Sequence, residues 1–173
     1  MSSETVQPVI RLANPEDAAQ ACQVLIRSIR EICGPDYGNE PTILDQWCAN
    51  KTVANVTAWI TNPDLYLIVA ATPMLGIVGV GMLHRPLGRV ALCYLIPEVL
   101  HQGVGKRLLA ALETEAHTLG HSYVHLESSL TARDFYVRNG YQPNGEPTPG
   151  PITAIPLIKS LAPEQSKPIS PYA

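Results

Sequence analysis

The stretch LCYLIPEVLHQGVGKRLLAALE, Leu92 to Glu113, changes character twice. An apolar run ends at Pro97, two glycines flank Val104, and a leucine- and alanine-rich helical pattern starts at once. A strand that hands over to a helix through Gly-x-Gly leaves bare backbone at the junction. The first N–H groups of a helix have no intrahelical partner and sit at the positive end of its dipole, a setting that suits an anion. Gly103 and Gly105 remove the side chains that would hold an anion away from those donors. Lys106 and Arg107 put cations in a first turn where the dipole disfavours them, which an anionic ligand would explain. A ligand-free tight turn is the alternative that the glycines alone leave open. Two better-known phosphate loops fail. No glycine stands five before Gly105 and Arg107 occupies the Ser/Thr position of a Walker loop, while the third glycine of a dinucleotide fingerprint would fall on Leu108.

Elements on either side of this turn read as one mixed α/β layer structure. Pro8 to Leu12 is a short strand. Asn14, Pro15, Glu16 and Asp17 then combine a helix cap, a proline at the first position and two acids facing the dipole. Apolar residues at Ala18, Cys22, Leu25, Ile29 and Ile32 keep helical spacing up to Gly34-Pro35, and Gly34 to Pro41 reads as a loop. Helical segments follow at 42–47 and 53–60, then a hairpin of strands 65–71 and 76–83. Val90 to Ile96 is nearly continuous in apolar residues, as expected of a strand covered on both faces. After the helix closed by Gly120 come a strand at 122–128, a short helix at 131–138 and a last strand at 152–158. One domain is expected over residues 1–162, with residues 163–173 a proline-rich disordered tail.

Composition narrows function by exclusion. Twelve Lys plus Arg against fifteen Asp plus Glu give a formal charge of −3, which argues against a dedicated nucleic-acid binder. Cys22, Cys33, Cys48 and Cys93 form no CxxC pair, so they read as buried thiols of a reducing cytoplasm and no metal site is expected. The N-terminus lacks an export signal, and the most membrane-like stretch, Leu67 to Leu83, is short and broken by Pro73 and glycines. A cytoplasmic protein that spans no membrane is expected.

LCYLIPEVLHQGVGKRLLAALETEAHTLG followed by HLESSLTARDFYVRNGY resembles the GNAT N-acetyltransferases. That family shows an apolar strand ending in Tyr-Val-x-Pro, then Gln/Arg-x-x-Gly-x-Gly, then a Leu-Leu helix with Glu-x-x-Ala. Its last motif is Asn-x-x-Ala-x-x-Phe/Leu-Tyr-x-x-x-Gly-Phe/Tyr. Here these read Tyr94-Leu95-Ile96-Pro97, Gly103 and Gly105, Leu108-Leu109 with Glu113 and Ala116, then Ala132, Phe135-Tyr136 and Gly140-Tyr141, over a resemblance from about Val9 to Lys159. The implied fold is a mixed, mostly antiparallel single-layer sheet with a central splayed parallel strand pair and helices on both faces. The implied activity is transfer of acetyl from acetyl-CoA directly to an amine of a small molecule or protein, without a metal or a covalent enzyme intermediate. A non-catalytic acyl-CoA-binding or regulatory module of the same fold is the alternative, and a homodimer through the last strands is ordinary for the family.

The resemblance assigns roles residue by residue. Backbone N–H groups of the loop from His101 through Gln102, Gly103, Val104 and Gly105 to Lys106 would hold the pyrophosphate. Backbone atoms of Cys93, Tyr94 and Leu95 would pair with the pantetheine arm, because a strand edge without a neighbour has free donors and acceptors. Ser129, where members often have Asn, would still bond the cofactor, and Tyr136 matches the general acid that protonates the departing thiolate. Leu100 and His101 depart from the usual Gln/Arg and Gly. The base positions known for the family fall on Arg89 and Val124, which cannot serve. Glu127, His125 and ordered water remain, with only one of the two side chains expected to face the cleft and Glu127 preferred. Asp36 and Glu40 are candidates for attracting a cationic amine, whereas Trp47 and Trp59 read as core.

Overall fold

The computed structural model describes residues 7–162; residues 1–6 and the expected disordered tail, 163–173, lie outside the described residues. Strand β1 (Val9–Leu12) leads into a turn where the Asn14 side chain accepts from Glu16 N–H at 3.0 Å and Asp17 accepts from Asn14 N–H at 2.8 Å, a capping box that starts the first helix. Arg11 clamps the same carboxylate at 2.7 and 2.9 Å, and this bond holds Asp17 below the usual carboxylate range while tying β1 to the helix. Helix α1 (Ala18–Arg27) widens into a π-helical turn, Ser28–Cys33, and Gly34–Tyr37 forms a tight helical turn where the sequence reads as loop. Helices α2 (Pro41–Cys48) and α3 (Val53–Thr61) follow.

The hairpin is β2 (Leu65–Thr72) with β3 (Gly76–His84), then come β4 (Arg89–Leu95) and helix α4 (Val104–Thr118). Strand β5 (Tyr123–Ser128), helix α5 (Arg133–Arg138), a two-residue strand β6 (Gln142–Pro143) and β7 (Ile155–Ser160) complete the chain. The sheet order is β1-β2-β3-β4-β5-β7-β6, antiparallel throughout except for β4 and β5. The mixed, mostly antiparallel sheet with one central parallel pair is therefore the architecture expected. The last strand lies later than expected because its partners set its limits. Six residues of β5 pair with Ile155–Ser160, which leaves Ile152–Ala154 beyond the ladder. The sequence allows one or two strands after α5, and the second, β6, lies at Gln142–Pro143, where two residues including a proline carry no alternation to read.

The parallel pair is joined in register at Arg89↔His125, the one paired position between the two strands. Immediately after it, Met82 and Leu83 of β3 face Leu92 and Val90 of β4, so Ala91 is the extra residue of a β-bulge. A bulge bends its strand and increases its twist, which turns the C-terminal half of β4 away from β5. Helix α4 fixes the bent strand from one face, with Leu108 and Leu112 fully buried against β3. This approach requires Gly79, where a Cβ would lie 2.8 Å from both Leu108 Cδ1 and Leu95 Cδ2. Gly79→Ala should therefore overpack the interface and cost about 1–3 kcal/mol, read as a lower denaturant midpoint at unchanged slope.

Candidate active site

The bulge creates an unpaired strand edge. Ile96 N–H donates to Val78 C=O at 3.0 Å, and antiparallel alternation then commits the backbone of Tyr94 to Val80 of β3. The amides and carbonyls of Cys93 and Leu95 point the other way, into the gap beside β5. Of the three positions expected to meet the pantetheine arm by their backbone, Cys93 and Leu95 turn theirs toward the gap, and all three residues line it.

At the open end of the gap the chain turns into α4. The first bond of that helix joins Arg107 N–H to Gly103 C=O at 3.1 Å, and among the described residues no side chain caps its N-terminus, so the amides of Val104, Gly105 and Lys106 precede the ladder. Gly103 has φ of 80° and His101 has φ of 61°, both left-handed. Gly103 is there for its backbone angle, since a Cβ would meet nothing within 4 Å. Gly105 is there for packing, since its Cβ would lie 3.2 Å from Phe135 and 3.3 Å from Leu95. His101 holds the same kind of turn with a side chain, at a cost glycine would avoid. A cleft of about 590 Å³ runs along this edge, lined among others by Leu95, Leu100, His101, Gly105, Lys106 and Phe135. Val104 is buried beneath the turn, and the Gln102 side chain folds back to donate to Glu98 C=O at 2.9 Å, so neither side chain lines this cleft. A row of free amides beside Lys106, continuous with an open strand edge, fits an elongated ligand with an anionic end and an amide-rich arm.

On the other side of Cys93 and Tyr94 lies a second cleft, of about 230 Å³, lined by Tyr136, Glu127, Ser128, Ser129, Arg89 and Lys51 together with Trp47 and Ile152–Ala154. Cys93 and Tyr94 line both, so the two clefts meet at the open edge of β4. Tyr136 is buried and stacks edge-on against Phe135 and Tyr141 at 5.1 and 5.6 Å. Burial, with Cys93 and Tyr94 adjacent, raises its phenol well above the ordinary tyrosine range and keeps the proton on oxygen. Burial first, then the charge of Glu113, pushes the Cys93 thiol up to about 12 despite its contact with Tyr136. Neither group is a ready nucleophile near neutral pH.

The remaining candidates separate. Glu127 and His125 are two apart and share a face of β5, so strand alternation does not choose between them. Their surroundings differ: His125 Nε2 is bonded to Leu87 C=O at 3.1 Å, whereas Glu127 lines the second cleft with Arg89 at 4.0 Å. Ser129 Oγ accepts from Ala132 N–H at 3.2 Å, starting the turn that leads to α5 and placing Ser129 on the Tyr136 side. Asp36 is taken up by the backbone N–H and hydroxyl of Thr131, which ties the turn after α1 to the start of α5 across the cleft mouth. Glu40 is exposed and lines neither cleft, so neither loop acid stands at the acceptor side. Trp47, expected as core, is half-buried and lines the second cleft. A lysine between two helices carries no sequence signal of burial, yet Lys51 is buried, with its backbone bonded to Cys48 and Cys22, and it lines the second cleft. Among the described residues no group of three His, Cys, Asp or Glu is placed to hold a metal ion, and no helix is long and apolar enough to cross a membrane.

The chain is also similar to known proteins. The acetyltransferase (GNAT) domain model matches residues 36–150, well over half of the chain, and the protein belongs to that family. Solved structures share the fold. A GCN5-related N-acetyltransferase from Rhodopseudomonas palustris is 23% identical with a TM-score of 0.79, covering 93% of this chain and 100% of its own. The PaiA N-acetyltransferase of Thermoplasma acidophilum, solved with coenzyme A, is 20% identical with a TM-score of 0.75, covering 90% and 99%. A Salmonella typhimurium protein described as a candidate acetyltransferase, solved with its cofactor acetyl-CoA, is 16% identical with a TM-score of 0.67, covering 92% and 97%. No match is found among curated protein sequences.

Two thiols, Cys33 buried and Cys93 partly buried, set an alkaline limit. Cys93 and Cys33 are raised by burial to about 12 and about 11, against about 8.5 for an unfolded thiol. Their stabilising contribution is complete below the unfolded value and is lost as pH climbs towards the folded one. Stability should fall from about pH 9 upward by about 1.4 kcal/mol per pH unit for each such thiol. Denaturant midpoints of wild type and Cys93→Ala between pH 8 and 10 check this, the variant showing the shallower decline.

Proposed function

We propose that the protein is an N-acetyltransferase that moves acetyl from acetyl-CoA directly to an amine of a small molecule or protein, as a single cytoplasmic domain spanning residues 1–162. The observation that carries this reading is the open edge of β4, continuous with the free amides that begin α4. The amides from His101 to Lys106, reinforced by the Lys106 ammonium, would hold the pyrophosphate. The gap-facing backbone of Cys93 and Leu95 would align the arm and face the negative charge that develops on the carbonyl oxygen. Acetyl-CoA, when bound, supplies the thioester that the amine attacks. Glu127 would take the amine proton, and Tyr136 would return one to the departing sulfur. The raised phenol makes Tyr136 a donor only in concert with cleavage of the C–S bond. The protonated Cys93 thiol favours direct transfer over an enzyme-bound acyl group.

Two observations favour a second reading, a cofactor-binding module without turnover. Leu100 lines the first cleft, where the family carries Gln or Arg, and His101 strains the turn. Calorimetric titration with acetyl-CoA, and with CoA for comparison, comes first, and micromolar binding is expected. Amine acetylation should then follow, and Tyr136→Phe should lower kcat about 100-fold while leaving cofactor affinity intact. The variant preserves the ring stacking, so a fall in binding would mark a structural role instead. Binding without turnover of any amine would establish the second reading, and no binding at millimolar acetyl-CoA would remove both.

A further inference from the structure

Lys51 sits in the turn between α2 and α3 and is 9% exposed. Its backbone is pinned, the N–H donating to Cys48 C=O at 2.9 Å and the C=O accepting from the Cys22 thiol at 3.0 Å. The ammonium meets a neutral group, Asn50 Oδ1 at 2.7 Å, and among the described residues no carboxylate lies within ion-pairing distance of it. A lysine this buried without an acid is uncommon, and a methionine of similar length would be the more stable choice. Burial already lowers its pKa, opposed by Cys48, so the charged form lacks the counter-charge that would sustain it.

What Lys51 lines is the second cleft, the one that also holds Tyr136 and Glu127. Arg89 lines it too, and its nearest carboxylate, Glu127, is 4.0 Å away with both side chains about half exposed, a pair worth little. Two cations therefore share this cleft with one carboxylate. Such a site repels a plain ammonium and attracts a molecule that brings its own negative charge. The volume, about 230 Å³, is below the range that takes drug-sized ligands, which suits a small acceptor. We propose that the acceptor is a small amine carrying its own carboxylate or phosphate, held by Lys51 and Arg89 through that anion while its amino group faces Glu127 and Tyr136. The amine half of this statement rests on the acetyltransferase reading; the anion half does not.

The anion half is tested without turnover. Ligand-observed NMR with acetate, inorganic phosphate and acetamide should show both anions binding and the amide not, with binding weakened about tenfold or more by Lys51→Met, equivalent to the loss of about 1.4 kcal/mol. Dependence on Lys51 separates this cleft from the anion-binding start of α4. Thermal unfolding of Lys51→Met should match or exceed wild type, since it removes a buried unpaired charge. Should that variant fail to fold, Arg89→Gln at a half-exposed position carries the same comparison. Turnover then compares glycine with glycinamide and phosphoethanolamine with ethanolamine. The anionic member should be favoured about tenfold or more in kcat/KM, the ratio falling towards one in both variants, and the better pair distinguishes carboxylate from phosphate. Equal binding of acetate and acetamide, or a preference that neither variant changes, overturns the proposal. Anion binding with no amine acetylated would remove the acetyltransferase reading and leave the anion site standing. Indiscriminate acetylation of charged and neutral amines would do the reverse.

Discussion

The molecule is organised by the point where β4 stops pairing with β5. A parallel ladder supplies hydrogen bonds to both strands, and here it is reduced to the register at Arg89↔His125 before the bulge at Ala91 bends β4 away. Everything beyond that point follows from backbone groups that need partners. The edge of β4 exposes amides at Cys93 and Leu95, the turn at Gly103 exposes those at the start of α4, and both open into one groove. Unsatisfied backbone polarity is costly when buried, so such an edge persists only where solvent or a ligand reaches it. The rest of the fold keeps the gap from collapsing. Strand β3 holds one side, β7 holds the other, and Glu113 of α4 bonds Lys159 of β7 at 3.1 and 3.0 Å and Tyr141 at 3.0 Å underneath.

Around the gap the chemistry divides by charge. Along the outer cleft lie free amides and Lys106, a setting for an anion that needs no carboxylate nearby. Behind the edge of β4, burial keeps Cys93 and Tyr136 protonated and makes them poor nucleophiles. Further in, Lys51 and Arg89 outnumber Glu127. A chain with a formal charge of −3 thus collects cations at its clefts, a distribution that net charge conceals.

Much of the fold was legible because the responsible signals are local. Asn14 followed by proline and acids, the apolar runs of the hairpin broken at its turn, and Gly120 at the end of α4 each act within a few residues. The glycine turn was also legible, although its two glycines serve different ends: Gly103 for its φ and Gly105 for the approach of Phe135. That difference depends on a helix thirty residues further on, so no local pattern carries it. The same holds for Asp36, whose carboxylate is taken up by Thr131, and for His125, whose ring is bonded to the carbonyl of Leu87 while Glu127 lines the second cleft.

The sequence by itself determined the order of elements, the Gly-x-Gly junction and the family pattern in which Tyr136 and the loop from His101 to Lys106 stand. These are set by periodicity, capping and spacing along the chain. The tertiary structure decided which backbone groups of β4 are free, because a one-residue bulge opposite β3 changes the pairing of everything after it. It also decided that Lys51 is buried and lines the same cleft as Arg89 rather than being solvated. Burial and charge balance are properties of what packs around a residue, and for Lys51 those neighbours come from helices and strands far apart in the chain.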